Sequence, residues 1–163
     1  MEMPKPGPAH DKLAQLAGNW EGDETVHPSP MDPKGGPAQG SWNFRLGVGG
    51  FFLIGDYQEA RDGQVNLEGH AVFGVDGDGY VMYWFDSSGM APSAPPRGTW
   101  TADTLVLQHE MPGMGHARYT MVVGDTLKFT IENSADGATW TPFLEGDYSR
   151  GLGPGAVEPS ETT

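Results

Sequence analysis

Gly18-Asn19-Trp20 stands directly after a short amphipathic stretch and is answered near the chain's end by Tyr148-Ser149-Arg150. In a closed antiparallel barrel the first strand runs beside the last, so a Trp at the start of the one is covered by an Arg leaving the other. A guanidinium stacked on an indole face contributes roughly 0.5 to 2 kcal/mol and closes the barrel floor. A lone Gly-x-Trp also opens ordinary strands whose Trp is plain core, so the rest of the chain has to decide.

It decides for many short strands. The 163 residues include 25 Gly and 14 Pro and show no long helical period, a pattern of tight turns between strands in one domain. Residues 1–9 are Pro-rich and read as a flexible arm; His10 to Ala17 carries Leu13, Leu16 and Ala17 at helical spacing and reads as a short helix plugging one barrel end. Strands are expected at Trp20–His27, Ser41–Val48, Phe51–Ala60, Val65–Val75, Tyr80–Asp86, Gly98–Ala102, Thr104–Glu110, Ala117–Val123, Thr126–Asn133 and Trp140–Ser149. The prolines between Pro28 and Pro37 lack N–H donors and predict a long loop there, Gly49-Gly50 predicts a two-residue turn, and Asp62-Gly63 predicts a hairpin. The expected fold is therefore all-β, a closed up-and-down antiparallel barrel of about ten strands over residues 10–150, with residues 151–163 a disordered tail.

Charge and composition narrow the function classes. Nine basic residues against 22 acidic ones give a formal net charge of −13, which repels phosphate backbones and anionic membrane surfaces. With no Cys there are no disulfides, no thiolate metal site and no thiol nucleophile. The N-terminus shows no basic-then-apolar signal and no apolar run long enough to span a bilayer, so a cytoplasmic, soluble protein is expected. Asp76-x-Asp78-Gly79 has no Glu at the twelfth position of a calcium loop and reads as a hairpin turn. Gly47-Val48-Gly49-Gly50 and Gly113-Met114-Gly115 open no helix and cradle no phosphate, and no Gly-x-Ser-x-Gly elbow occurs.

The remaining candidates are polar and aromatic residues within the strands. If Leu105 and Leu107 face inward, so does His109 by the two-residue period, and a two-histidine metal centre with His116 across the hairpin is one reading. In Tyr83-Trp84-Phe85-Asp86 half of the residues face inward in either register, and Asp86 shares a face with Trp84 and Met82, as a general base at an apolar mouth or as a turn cap. An inward Arg118 would need Asp86, Glu145 or a ligand carboxylate; outward, it needs none. The candidate lining of an apolar cavity is Trp42, Tyr57, His70, Tyr83, Trp84, Asp86, His109, His116, Arg118, Met121 and Glu145, with Asp86, His70 and His109 as proton carriers if the protein is an enzyme and Trp20 and Arg150 structural.

Leu13 through Gly22, Tyr83-Trp84-Phe85-Asp86-Ser87, Arg118-Tyr119-Thr120 and the closing Ser134-x-Asp136-Gly137-x-x-Trp140-x-x-Phe143-x-Glu145-Gly146-x-Tyr148-x-Arg150 resemble a bacterial family, domain-of-unknown-function family 1579. That resemblance implies a calycin-type barrel over about residues 10 to 150 and no assigned reaction. Through its Gly-x-Trp and terminal Arg the chain is also similar, more distantly, to lipocalins, fatty-acid-binding proteins and nitrobindins. The nitrobindin likeness implies haem on His116 as an alternative cofactor. The expected function is binding of a small hydrophobic molecule inside the barrel, with a cofactor-free isomerase or cyclase of a hydrophobic metabolite as the alternative and a homodimer as a possible assembly.

Overall fold

The computed structural model describes residues 1–92 and 94–151; the predicted tail beyond Gly151 lies outside the described residues. A short helix α1 (Pro8–Ala14) precedes ten strands: β1 (Gly18–Val26), β2 (Gly36–Gly47), β3 (Phe52–Arg61), β4 (Gln64–Asp76), β5 (Gly79–Asp86), β6 (Arg97–Thr101), β7 (Thr104–Met111), β8 (Gly115–Val123), β9 (Thr126–Ser134) and β10 (Thr141–Arg150). Each strand pairs antiparallel with the one before it, and β10 returns to β1, so the sheet closes, with β5 and β6 joined only at Tyr80–Gly98 and Val81–Arg97.

The closure is built around the residues that announced it. Trp20 lies opposite Arg150 in the β1–β10 register, and the guanidinium carbon sits 4.1 Å from the indole centroid. The fully buried indole donates its N–H to the Leu16 carbonyl at 2.9 Å, while Arg150 donates to the carbonyls of Ala17 at 2.6 Å and Gln15 at 3.1 Å. One arginine thereby covers the Trp and satisfies carbonyls left over where α1 ends. Pro8 at the start of α1 gives up an N–H that the first turn leaves unpaired anyway. Leu13 and Leu16 are fully buried against the barrel, and the Tyr80 hydroxyl donates to the Ala9 carbonyl at 2.8 Å, so the helix plugs this end.

Most strand ends fall within two residues of expectation, and three departures have a clear place in the packing. β2 begins at Gly36 rather than Ser41: Pro37 pairs only with Thr25 of β1, before β3 joins at Gln39, so its missing N–H interrupts no ladder on the other side. The β2–β3 connection spans residues 48–51 rather than two glycines, with Val48, Gly49 and Gly50 at positive φ and the Phe51 ring set edge-on against His10 at 5.2 Å. Helix α1 takes in Pro8 and Ala9, which the sequence assigned to the arm.

The inward face explains the glycine content as much as the turns do. Gly40, Gly55, Gly69 and Gly146 point into the barrel, where a Cβ would collide with Glu24, Phe44, Trp84 and Tyr148 respectively. Their bare backbone lets large side chains lie flat against the wall. Trp42 stacks on Phe44 at 4.8 Å, with Tyr57 at 4.7 Å and Phe129 edge-on at 6.0 Å. The helix end is therefore packed with side chains, and the apolar cavity expected inside the barrel does not reach that far down.

Candidate functional site

The two-residue alternation assigns every candidate a side of the wall. Trp42, Tyr57 and Met121 are buried in the core cluster, and Trp84 packs against it, partly buried. Asp86 shares the inward face of Trp84, and His109 that of Leu105 and Leu107, which are at most 1% exposed. His70, Tyr83, His116, Arg118 and Glu145 alternate with buried neighbours and face outward, which corrects their expected place in a cavity lining. His70 pairs with Asp56 at 2.7 Å, Glu145 with His27 at 2.7 Å, and Arg118 with Glu132 at 3.0 Å while covering the Trp140 ring at 4.3 Å.

His109 and His116 lie on opposite faces, since His109 pairs with Ala117 and His116 with Glu110 across the hairpin; they cannot share a metal ion. The His116 ring packs instead near Gly137, whose Cβ would lie 3.2 Å from it. His116 projects from the outer face of β8, so its imidazole does not reach an iron held inside the barrel, and these residues do not fit that group.

The open end, opposite α1, gathers two polar groups. At its rim Asp86 accepts the Trp84 indole N–H at 2.8 Å and the Ser88 backbone N–H at 3.0 Å, so it is both a turn cap and the anchor of Trp84. Burial opposes its ionisation, but the bonds from Ser88 and Trp84 outweigh this and hold its carboxyl below the usual range. On β7, two strands along the wall, His109 donates from Nδ1 to the Ala94 carbonyl at 2.8 Å, leaving Nε2 to face the Tyr119 hydroxyl at 3.4 Å. Burial, and then the nearby Asp86 charge, push Tyr119 up to about 12.

Deeper lies a group that the sequence reading missed. Glu24, 3% exposed, accepts the Tyr57 hydroxyl at 2.8 and 2.7 Å on its two oxygens and also the Tyr148 hydroxyl. Burial raises its pKa, the two phenols oppose this, and the neighbouring Glu59 raises it again. Glu59, 4% exposed, is itself held by Arg61 at 3.0 Å and Asn66 at 3.2 Å, and Arg61 reaches on to Asp32 at 2.6 Å in the β1–β2 loop. The buried Trp42 indole N–H has no well-formed hydrogen bond; it is directed at the Tyr148 hydroxyl, whose ionisation burial and the Glu24 charge strongly oppose and the indole N–H only partly favours. A signal for this group existed. Once Trp20 is set opposite Arg150, the register places Gly22 opposite Tyr148, with Glu24 one inward step further on.

Residues 5–150 match the family described as a protein of unknown function (DUF1579). The chain belongs to that family. Among solved structures, this DUF1579 chain is similar to Rv2717c from M. tuberculosis, with 20% identity over 89% of this chain and 98% of that one and a TM-score of 0.69, a likeness of fold. A protein of the DUF3598 family from Nostoc punctiforme PCC 73102 matches at 12% identity over 91% of this chain and 51% of that one, with a TM-score of 0.44. No curated protein matches the chain. Among the described residues no helix is long and apolar enough to cross a membrane.

Proposed function

We propose that this DUF1579 protein binds a small, largely apolar molecule at the open end of its barrel. The observation that carries the reading is a gradient of burial along the inward face of β4, β5, β8 and β9, on the side of the mouth away from the buried Val26, Ala38 and Leu144. At the helix end Leu13, Leu16, Trp20, Leu53, Leu105 and Leu127 are completely buried. At the open end Leu67, Trp84, Tyr119 and Ile131 face inward yet are only partly buried. Apolar side chains aimed into a barrel and left wet are what an apolar ligand covers, and the few polar groups beside them, Asp86, His109 and the Tyr119 hydroxyl, are placed to orient it. Both Asp86 oxygens are engaged in hydrogen bonds, which suits orientation better than proton transfer.

Titration with Nile red, a neutral dye that brightens and shifts to the blue in apolar surroundings, tests the proposal. Saturable binding of one dye per chain is expected, weakened in Leu67→Glu and Ile131→Glu and unchanged in Tyr83→Ser, which removes an exposed ring from the outer wall. Absence of binding, or equal binding in the two mouth variants, overturns it.

A further inference from the structure

The outside of the wall changes chemistry from strand to strand. On β1, β2 and β10 the outward positions hold polar side chains, among them Glu21, Asp23, Ser41, Asn43, Glu145 and Asp147. On β3, β4 and β5 they hold Phe52, Ile54, Val72, Val81, Tyr83 and Phe85. This second group is continuous, since Ile54 pairs with Val72 and Val72 with Tyr83 across the ladders. Val81 is 5% exposed yet stands outside the core cluster; it and Phe52 close over Gly74, whose Cβ would lie 3.7 Å from the one and 3.0 Å from the other. Ile54 lies over Gly47 in the same way. A flat apolar layer thus coats the outer wall, and Tyr83 and Phe85 rise from it 40% and 45% exposed.

Charge selects what covers this layer. A net charge of −13 turns away anionic membranes, and the acids of β1 and β10 keep a second copy from those strands. The β3–β5 face is different because each flank carries cation and acid together. On the β2 side Asp56 is paired with Arg45 at 3.0 Å and with His70 at 2.7 Å; on the β6 side Asp76 is paired with Arg97. Both arginine pairs are about half exposed, so each flank presents the two signs to whatever lies against it.

We propose that the outer face of β3, β4 and β5 is the contact between two copies of this chain, related by a two-fold axis that lies in the face along the diagonal from Phe52 through Val72 to Phe85. With about 4.8 Å between strands and about 3.4 Å per residue, rotation about that diagonal carries Arg45 to within about 4 Å, in the plane of the face, of the other copy's Asp76, and Arg97 equally near the other copy's Asp56. Each copy thereby answers both flanks of the other, and Phe85 meets its own counterpart on the axis. The diagonal also suits the barrel: strands tilted about 40° cross at roughly a right angle when two barrels lie side by side. Three strands with their flanking pairs bury about 500 Å² of each copy, the lower end of specific interfaces, so the dimer is reversible. The mouth stays open, because the contact is on the outside of the wall.

Sedimentation velocity of the full chain between about 5 and about 500 μM, at about 0.15 M salt so that distant acids are screened, reads the assembly. A concentration-dependent dimer is expected. Tyr83→Ser and Phe85→Ser, both at exposed rings, are each expected to weaken it about tenfold. Val72→Asp and Val72→Lys set like charges against each other at the axis, and each is expected to be monomeric, whereas an equimolar mixture of the two is expected to form a 1:1 dimer. Circular dichroism checks that the barrel is kept; should a Val72 variant fail to fold, the Tyr83 and Phe85 variants decide alone. A wild-type monomer over the whole range overturns the proposal, and so does a dimer that survives Tyr83→Ser and Phe85→Ser. A monomer that floats with neutral phosphatidylcholine vesicles gives the face to a membrane and overturns it too.

Discussion

Tyr57 donates one hydroxyl to both oxygens of Glu24, at 2.8 and 2.7 Å, in the interior of the barrel. With Tyr148 on the same carboxyl, three side chains from β1, β3 and β10 are tied together across the strands that close the sheet. The cost is a carboxyl held out of water, so the group prefers its proton.

That preference sets a pH dependence. An acid whose folded pKa lies above its unfolded value of about 4.5 stabilises the fold fully below that value and loses the contribution as pH rises through the folded pKa. Glu24→Gln keeps an acceptor for the phenols and removes the titration. The wild-type protein is therefore expected to lose stability relative to Glu24→Gln as pH is raised from about 4.5, in urea unfolding at a series of pH values. Glu24→Ala strands two buried hydroxyls and is expected to cost about 3 kcal/mol.

Arg150 is the second test of closure. Alanine there uncovers Trp20 and frees the carbonyls of Gln15 and Ala17, a loss of about 2 kcal/mol, with the emission of Trp20 moving to the red as water reaches it. Lysine has no planar fork to stack and bind two carbonyls together, and it is expected to recover less than half of the loss. Full recovery with lysine would show that charge alone, without the stack, closes the floor.

The strands, their order and the closing pair were legible because alternation and turn chemistry are local. Asp62-Gly63 turns as read, with φ of 51° and 75°. Facing was harder. Tyr83-Trp84-Phe85 is aromatic on both sides of the wall, and β1 carries Trp20, Gly22, Glu24 and Val26 on one face, a mixture in which an inward acid looks like an outward one. Gly40, Gly55 and Gly69 were hidden for a similar reason, since glycine reads as a turn until the side chain that lies over it is known.

These glycines separate two kinds of cost. A Cβ at Gly55 would lie 2.5 Å from Phe44 Cε1, and Phe44 is stacked on Trp42 with nowhere to go. Gly55→Ala is expected to destabilise by about 3 kcal/mol. Gly63→Ala meets nothing within 4 Å and pays only for its left-handed backbone, about 1 kcal/mol. Chemical denaturation of both variants checks the order; equal losses would mean that the interior yields more readily than its packing indicates.

The β9–β10 loop gives a prediction at the acid end of the scale. The backbone N–H groups of Thr139 and Ala138, at 2.9 and 2.8 Å, and the Ser134 hydroxyl, at 3.0 Å, all donate to Asp136, which lowers its pKa to about 2. A depressed carboxyl stabilises the loop above its ordinary value of 3.8, and that contribution is lost as pH falls through about 2. The loop holds Gly137 against the His116 ring and leads into Trp140 beneath Arg118. Carboxyl carbon NMR should therefore find Asp136 titrating near 2, with the resonances of His116 and Trp140 moving at the same midpoint. Asp136→Ala should speed amide exchange at Ala138 and Thr139 at neutral pH while leaving the barrel strands protected. A midpoint near 3.8 would show that the three donors do not hold the charged form.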